Sequence, residues 1–331
     1  WDLQTYLGLR ENLAVNEGAR SFIHESNRDR TPLGHAHREH IRDFSIEQIR
    51  EMYRLAVSQL LDRIAETEEF FRAGIIAINI TESDPFTGDR AGHEDEIIGT
   101  KEKTEEYAYQ WATVQLVGNA VPIVLDARPM RKGDTRKEIV EDLLDSAEAA
   151  VHVDNVLMDR EFDSQHILEM LSQRGLSYVV PKRMQTIEKA QAKRLLKKGK
   201  DRYETDRKLH LGDNKWHSTT LTYRRKENFE HTDHRQYSIF MTNAGTGHLT
   251  EYGYRWEIGS GYKSIKQFMA ATTSKHFGLR FFYFAFACLL YSIWRAVDLL
   301  VQVQLTGEYE HSPIVTDDNT LTLLKKETGI G

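Results

Sequence analysis

Residues 252–266 read Tyr252-Gly-Tyr-Arg255-Trp-Glu-Ile-Gly259-Ser-Gly-Tyr-Lys-Ser-Ile-Lys266. Successive residues of an α-helix are rotated by about 100°, so the four numbered residues would lie within roughly 60° of one another. One helical face would then carry a tyrosine, two cations and a glycine. Cations grouped in this way are suited to contact phosphate groups. The alternative interpretation is an ordinary amphipathic helix whose polar face has no special function.

The composition is that of a soluble globular protein, with 40% hydrophobic and 28% charged residues in a chain of 331. This length suits one large domain or about two ordinary ones. The net charge of −6 gives no global signal for nucleic-acid binding, so any such affinity must come from local basic patches. No secretory signal is visible. Because the chain opens at Trp1 rather than Met, we expect an N-terminal piece to be missing.

A single cysteine, Cys288, excludes an internal disulfide and is typical of a protein from the reducing cytoplasm. It lies within the most apolar segment, residues 281–294, which is followed by Arg295 and Asp298. A membrane span needs about 20 apolar residues, whereas this segment has 14. We therefore predict a buried core helix, no membrane partner and a cytoplasmic location.

Apolar periodicity predicts alternating helices and strands in the first half of the chain. Ser45-Ile-Glu-Gln48 is typical of a capping box and opens a helix that extends to about residue 71. Upstream of it, His35, His37 and His40 lack zinc-ligand spacing, which favours a solvated loop. The remaining predicted elements are a buried strand at 74–80, an exposed acidic loop at 81–106, a hairpin of 107–117 and 121–125, a helix at 135–150, a strand at 156–158, a helix at 164–174 and a strand at 178–180.

Residues 182–200 carry eight Lys or Arg residues against one acid, Glu188. Contacts with the DNA backbone require clustered cations of this kind. We predict a DNA-contact surface here, with a solvated helix face as the alternative. Three β-like stretches follow at 203–209, 216–225 and 237–243, so the region is both basic and β-rich.

The spacing within 252–266 resembles the Y-x2-R-x3-E-x6-K signature of DDE-type transposases of the insertion sequence 4 family, with Gly259 in place of the glutamate. Asp159-Arg-Glu-Phe162 matches the Asp-Arg-x-Phe/Tyr motif of that family. Ile78-Asn79-Ile-Thr81 corresponds to its first motif, Asp-x-Thr, with Asn79 in place of the aspartate. The resemblance covers residues 43–305 and leaves Asp159 as the one retained acid of the expected three.

The resemblance implies an α/β protein with an RNase H-like fold, in which a mixed five-stranded sheet with flanking helices is interrupted by a β-rich insertion. The order β, β-hairpin, α, β, α, β of the predicted elements is that of this fold. The implied organisation is a helical N-terminal region at 1–72, two parts of the core at 73–182 and 245–305, the basic and β-rich insertion at 183–244 and a C-terminal tail at 306–331.

In DDE transposases three carboxylates hold two divalent cations, which activate a water or a DNA 3′-hydroxyl for phosphoryl transfer. The resemblance therefore implies Mg²⁺ or Mn²⁺ as cofactor, with Asp159 as its surviving ligand and Asn79 and Gly259 at the other two catalytic positions. It also implies DNA as partner, both the terminal inverted repeats of the element and the target, and a homodimer. The implied DNA-binding residues are Tyr252, Arg255, Lys266, Arg160, Lys193, Arg194, Lys197 and Lys198.

Neighbouring acids do not replace the lost carboxylates in these patterns. Glu257 lies about 200° from Gly259 on a helix and faces another direction. Glu82 and Asp84 stand at odd offsets from Asn79, which predicts the opposite face of a continued strand. The alternative is a loop at this point that brings one of them to the site.

We therefore expect a transposase-family protein whose catalysis is impaired. The alternative is a non-catalytic DNA-binding remnant or a regulator of related elements. An unrelated α/β hydrolase or a different metal enzyme has little support, because the sequence lacks G-x-S-x-G, P-loop and zinc-ligand spacings.

Overall fold

The computed structural model describes residues 34–67, 70, 72–100, 106–118, 121–227 and 230–327. Within these ranges the chain is a mixed α/β protein with eight α-helices and nine β-strands. The helices are α1 (Gly34–Arg42), α2 (Ile46–Ile64), α3 (Arg136–Ala150), α4 (Gln165–Gln173), α5 (Thr186–Lys197), α6 (Arg255–Phe268), α7 (Phe277–Thr306) and α8 (Asp317–Glu327). The strands are β1 (Ala73–Pro85), β2 (Ile98–Gly99), β3 (Tyr107–Val117), β4 (Val124–Pro129), β5 (His152–Met158), β6 (Ser177–Pro181), β7 (Arg202–Gly212), β8 (Lys215–Arg225) and β9 (Tyr237–Thr242).

All nine described strands belong to one mixed sheet in which β1 lies between β3 and β5. β1 pairs antiparallel with β3 and parallel with β5. Beyond them, β3 pairs antiparallel with β4 and β2, and β5 pairs parallel with β6. β1 and β5 run side by side in the same direction, and β5 ends at Met158, level with Ile78, whereas β1 continues to Pro85. The end of β5 therefore lies beside the middle of β1.

The strands of the basic, β-rich region extend this sheet rather than folding apart from it. β9 pairs antiparallel with β6, and β8 and β7 follow outward from β9. These three strands and the short β2 enlarge the expected five-stranded sheet to nine strands. A polar contact helps to hold the extension: His217 of β8 lies 2.7 Å from Glu169 Oε2 through Nδ1 and 2.8 Å from the Tyr178 hydroxyl through Nε2.

The prediction of an exposed loop at 81–106 is wrong for its first part. β1 continues to Pro85, and Thr81 and Asp84 are buried. The register between β1 and β3 shifts between these two residues, which marks a β-bulge. The acidic residues of this stretch indicated exposure, but the charge of Asp84 is compensated by Arg280 of α7 at 2.5 Å.

α7 contains the apolar segment from which a core helix was predicted. By length and composition it is the one described helix that could cross a membrane, but 67% of its most apolar window is buried inside the protein. It covers β3, where Trp111 packs against the rings of Phe277, Phe281 and Phe284. Cys288 is buried in the same helix. These contacts support a core helix.

α2 begins at the predicted capping box, which is confirmed. The Ser45 hydroxyl accepts a hydrogen bond from the Gln48 amide at 3.2 Å, and the Gln48 side chain accepts one from the Ser45 amide at 2.8 Å. The helix ends about two turns before its predicted end. The histidine-rich segment, predicted as a loop, lies in α1 instead. The rest of the predicted N-terminal region, residues 1–33, lies outside the described ranges.

Candidate active site

Asn79, in the middle of β1, and Asp159, directly after the end of β5, lie side by side. Ile78 of β1 pairs with Met158 of β5, so the next residue of each strand stands at the same level. Asp159 caps the 3-10 turn Arg160–Phe162, where its carboxylate accepts a hydrogen bond from a backbone amide at 3.3 Å. The Asp159 side chain is 35% exposed, so a bound molecule can reach it.

Arg255, the first residue of α6, contacts both of these residues. One of its guanidinium nitrogens forms an ion pair with Asp159 Oδ2 and lies 3.5 Å from Asn79 Oδ1. The arginine side chain is 19% exposed, so water screens this pair only in part. Its Nε has no hydrogen-bond partner among the described residues. Three separate parts of the chain therefore meet at this point.

The stretch 252–266 is not one continuous α-helix, contrary to the prediction. Residues Glu251–Tyr254 form a 3-10 turn, and the α-helix begins at Arg255. A 3-10 helix has three residues per turn, so Tyr252 stands at a different angle from the one that an α-helix predicts. Arg255 and Gly259 remain about one α-helical turn apart on the same side of α6.

Tyr252 borders the same site. Its ring packs against Phe240 of β9, with the ring centroids 4.9 Å apart. Burial raises the pKa of Tyr252 to about 12, an effect that Arg255 and Arg160 oppose and that Asp159 reinforces. These charges act on the phenol because they lie near it. At neutral pH the hydroxyl is therefore protonated.

Gly259 is exposed, and a methyl group built on its Cα would meet no atom within 4 Å. Its backbone is α-helical, so no left-handed conformation requires glycine there. Crowding therefore does not explain the loss of the expected glutamate. A side chain at this position would enter open space one turn beyond Arg255.

Glu257 faces another part of the protein. Its Oε2 accepts a hydrogen bond from the Gly118 amide at 3.1 Å, and His311 Nε2 lies 3.8 Å from its Oε1. Burial raises the pKa of Glu257 to about 7, an effect that the Gly118 amide and Arg295 oppose. Burial, followed by repulsion from Arg295, lowers the pKa of His311. Glu257 therefore does not join Asp159, as its angle on the helix predicts.

Asp84 shares a face with Asn79, so the prediction of the opposite face is wrong for this residue. Asn79 stands opposite Thr113 of β3. Asp84 stands opposite Tyr109, which is on the same face of β3 because strand residues alternate with a period of two. The β-bulge adds a residue to β1, and Asp84 therefore returns to the face on which Asn79 lies. Asp84 is nevertheless buried and paired with Arg280, so it serves the core rather than the site.

Asn79, Asp159 and the acids near them do not fit a resident divalent cation. Mg²⁺ and Mn²⁺ prefer several oxygen ligands, with carboxylates to supply negative charge. Asp159 already pairs with Arg255, so the two charges cancel by simple count. Glu82 accepts a hydrogen bond from Gln110 at 3.3 Å, and Gln110 lies on the opposite face of β3 from Tyr109. In the described part of the chain, no three His, Cys, Asp or Glu side chains are grouped as a cation site requires.

The other predicted DNA-binding residues lie apart from this site. Lys266 is exposed near the far end of α6, about 16 Å along the helix axis from Arg255. Arg160 is exposed beside Asp159. Four more cations are exposed at the end of α5, and none of them forms an ion pair with another described residue: Lys193, Arg194, Lys197 and Lys198.

Tyr262 and Thr113 complete the surroundings of Asn79, and the sequence analysis missed both. The Thr113 hydroxyl lies 2.6 Å from the Tyr262 hydroxyl. Burial raises the pKa of Tyr262, while hydrogen bonds to Thr113 and Asn79 act against this rise. Tyr262 follows Arg255 by seven residues, about two helical turns. That spacing is the signal that could have identified it.

The arrangement is suited to hold a phosphate rather than to cleave a phosphodiester with metal ions. A guanidinium offers five N–H donors in a fork that matches phosphate oxygens. Arg255 uses one nitrogen for Asp159, and the Tyr252 hydroxyl lies nearby. A phosphate group could therefore compete with Asp159 for Arg255.

No protein-family model matches this chain, and the curated proteins give no match either. The likeness to a family therefore depends on three short motifs and on where the structure places them.

Proposed function

We propose that this chain is a transposase-family protein of the DDE type, similar to the insertion sequence 4 family, that binds the DNA of its element but is impaired in cleavage and strand transfer. The observation that carries the proposal is the meeting of Asn79, Asp159 and Arg255. These residues come from three motifs that are far apart in the sequence. A chance match of motifs would not require them to converge.

The arrangement of elements supports an RNase H-like core. β1, the β3–β4 hairpin, α3, β5, α4 and β6 follow in the expected order. The basic, β-rich region comes next, and α6 then returns to the end of β5, beside Asn79 of β1. An insertion between two halves of one core has this consequence: the last motif is distant in sequence and close in space.

The proposed loss of activity follows from electrostatics. Metal-assisted phosphoryl transfer needs two cations to stabilise the attacking and leaving oxygens. Asn79 offers a neutral amide oxygen, Gly259 offers no side chain, and the charge of Asp159 is cancelled by Arg255. The contacts suited to phosphate are retained, whereas the negative charge that would hold cations is missing.

Cleavage of terminal-repeat DNA tests this proposal. The wild type and an Asn79→Asp/Gly259→Glu variant are incubated with the DNA ends that flank the coding sequence, in Mg²⁺ or Mn²⁺. We expect cleavage by the double variant and none by the wild type, because the space at position 259 accepts a side chain. Adding Asp159→Asn to the double variant should abolish the restored activity.

Two outcomes would count against the proposal. A wild-type rate comparable to that of the double variant would refute impaired catalysis. A wild type and a double variant that both fail to bind the flanking ends more tightly than unrelated DNA would refute membership of a transposase family.

A non-catalytic DNA-binding protein, acting on the ends of related elements or paired with active copies, is the second candidate. The observation that favours it is the group of exposed cations at the end of α5, which have no ion-pair partner in the described part of the chain. Changing these four cations to Gln should reduce the dependence of log K on log salt by about 1 for each cation that contacts a phosphate. Equal affinity for the terminal repeat and a scrambled duplex would contradict a regulatory role.

The proposal also includes a homodimer on paired DNA ends. Light scattering of the protein with and without a terminal-repeat duplex would measure the stoichiometry, and one protein per two duplex ends would contradict it.

A further inference from the structure

A groove of about 640 Å³ lies between the outer strands of the sheet and the segment that leads into the signature residues. Arg202 of β7 and Thr222 and Arg224 of β8 line one side. Leu249 and Thr250 line the other, directly before the turn that carries Tyr252. None of these residues was selected by the sequence motifs.

The two arginines of the groove stand directly opposite each other. Arg202 pairs with Arg224 in the antiparallel register of β7 and β8. Like charges at such a position destabilise a strand pair. Arg202 contacts Glu204 at 2.8 Å and Arg224 contacts Glu227 at 3.5 Å. Both arginines remain about half exposed, at 48% and 49%, so these surface pairs contribute little.

Thr222 supplies a second, independent observation. Its side chain is fully buried, and its hydroxyl has no hydrogen-bond partner among the described residues. A buried polar group without a partner costs free energy, so such groups mark sites where a ligand or an ordered water belongs. The hydroxyl can donate to an oxygen of an anionic ligand, and the two arginines balance the negative charge of that ligand.

The groove opens on the same face of the sheet as the candidate active site. Thr222 stands opposite Phe240 of β9, and directly opposite residues share a face. Phe240 packs against Tyr252, which precedes Arg255 by three residues in the turn that leads into α6. An anionic chain that crosses the active site could therefore continue into the groove.

We propose that this groove is a phosphate-binding subsite formed by Arg202, Arg224 and Thr222, and that it holds a backbone phosphate of the DNA strand bound at Arg255. This assignment rests on the proposed function for its ligand, although the phosphate chemistry stands by itself. Three acids also line the groove: Asp201 and Glu227, whose side chains are 83% and 80% exposed, and the exposed Glu230. Because water screens these acids, they compete only weakly for the arginines.

The test compares an Arg202→Gln/Arg224→Gln variant with an Arg235→Gln control. Arg235 is an exposed arginine of the same region, paired with Asp233 at 3.0 Å and outside the groove. Binding of a mixed-sequence DNA duplex is measured by fluorescence anisotropy at several salt concentrations. We expect the double variant to bind about tenfold more weakly, since bonds to charged groups are the strong ones. Its log K should depend less steeply on log salt, by about 1 for each arginine that contacts a phosphate, while the control keeps the wild-type slope.

A Thr222→Val variant separates ligand binding from folding. Removing a hydroxyl that has no protein partner should leave urea unfolding unchanged or more difficult, yet weaken duplex binding roughly fivefold. If Thr222→Val and the double arginine variant fold normally and bind the duplex as the wild type does, the proposal is overturned.

A second measurement distinguishes the source of the phosphate. Titration with inorganic phosphate, followed by ³¹P line broadening, reports on the groove without DNA. Phosphate binding that is lost in the variants while duplex binding is unchanged would assign the groove to a free phosphate and overturn the DNA assignment. A wild type that binds no duplex refutes the proposed function, and the phosphate titration then decides the groove separately.

Discussion

Two aspartate–arginine pairs join the central strands to the helices above them, and they differ in how firmly the arginine is held. Asp84 and Arg280 have side chains only 6% and 11% exposed. Arg280 also donates to the Ser274 carbonyl at 2.6 Å and lies 4.8 Å above the Tyr109 ring. This pair is fixed from several sides and belongs to the core.

The Asp159–Arg255 pair has the same chemistry, but it is more exposed and its arginine has fewer contacts. Its side chains are 35% and 19% exposed, and Arg255 Nε is without a hydrogen-bond partner in the described part of the chain. An arginine with spare donors beside an accessible carboxylate can exchange partners, whereas Arg280 cannot. The difference indicates that one pair stabilises the fold and that the other is built to meet a ligand.

The largest expected effect comes from breaking each pair by the same substitution. Arg280→Met should lower the free energy of unfolding by about 3–5 kcal/mol, because it leaves a buried carboxylate without a partner. Arg255→Met should cost about 1 kcal/mol or less, since Asp159 can be solvated. Urea unfolding at pH 7.5 measures both. Equal losses in the two variants would refute the contrast.

The pH dependence sharpens this test. Burial raises the pKa of Asp84 to about 6, although Arg280 opposes the rise. The pKa of this carboxyl in the unfolded chain is about 3.9. Ionisation of Asp84 therefore lowers the free energy of unfolding as pH rises from about 4 to 6. Without Arg280 the charged form is less favourable still. The cost of Arg280→Met should therefore be smaller at pH 5 than at pH 7.5.

Glu257 supplies a third case, a half-buried carboxylate on α6 that has no arginine bonded to it. Its folded pKa of about 7 exceeds the unfolded value, so its ionisation removes stability as pH rises from about 4.5 to 7. Glu257→Gln should abolish that loss, which is about 3–4 kcal/mol. Urea unfolding across this pH range measures the slope.

His311 must be controlled in that experiment. Its pKa is lowered in the folded protein, so its contribution to stability increases as pH rises to its unfolded value. The sign is opposite to that of Glu257, and the two partly cancel below about pH 6.5. The protein with Glu257 and the Glu257→Gln variant should therefore be compared in a His311→Asn background. The same pH slope with and without Glu257 would refute the shifted ionisation.

Restoring carboxylates at the looser pair should create the cation site that the present residues do not form. Asn79→Asp/Gly259→Glu should bind Mn²⁺ at least about tenfold more tightly than the wild type, or about 1.4 kcal/mol. Electron paramagnetic resonance of free Mn²⁺ measures this without any DNA. Arg255→Met alone provides the matched control, because it frees Asp159 but adds no carboxylate. Equal Mn²⁺ binding by the wild type and the double variant would contradict the view that the two missing carboxylates limit cation binding.

The sequence predicted most elements of the fold because their local patterns agree with their tertiary roles. The Ser45 capping box, the buried segment around Cys288 and the strand before Asp159 were all placed correctly. Residues 81–85 were misplaced because acidic side chains indicated a loop, and only the tertiary pairing of Asp84 with Arg280 allows a buried strand there. The bulge that turns Asp84 inward leaves no mark in the sequence pattern.

The sequence motifs predicted which residues belong to the site, but they did not predict the contacts between them. Asn79, Asp159 and Arg255 could be selected by spacing, but their contact depends on the parallel pairing of β1 with β5. Tyr252 lies in a 3-10 turn and packs against Phe240 of β9, a long-range contact that no local pattern encodes. The groove at Arg202 and Thr222 could not be predicted from the sequence, because its residues are brought together only by the pairing of strands and by a later segment of the chain.

The smallest expected effect distinguishes the two sides of α6 through its two glycines. A methyl group added at Gly259 would meet open space, whereas one added at Gly261 would lie 3.0 Å from the Tyr291 hydroxyl. Gly259→Ala should raise the free energy of unfolding by about 0.5–1 kcal/mol, because alanine restricts the unfolded chain and favours the helix. Gly261→Ala should lower it, because Tyr291 is buried and must move. Opposite signs in urea unfolding would establish that α6 is tightly packed toward the sheet and open beside Arg255. A loss of stability in Gly259→Ala would instead mean that the space beside the looser pair is occupied, and a glutamate could not simply be restored there.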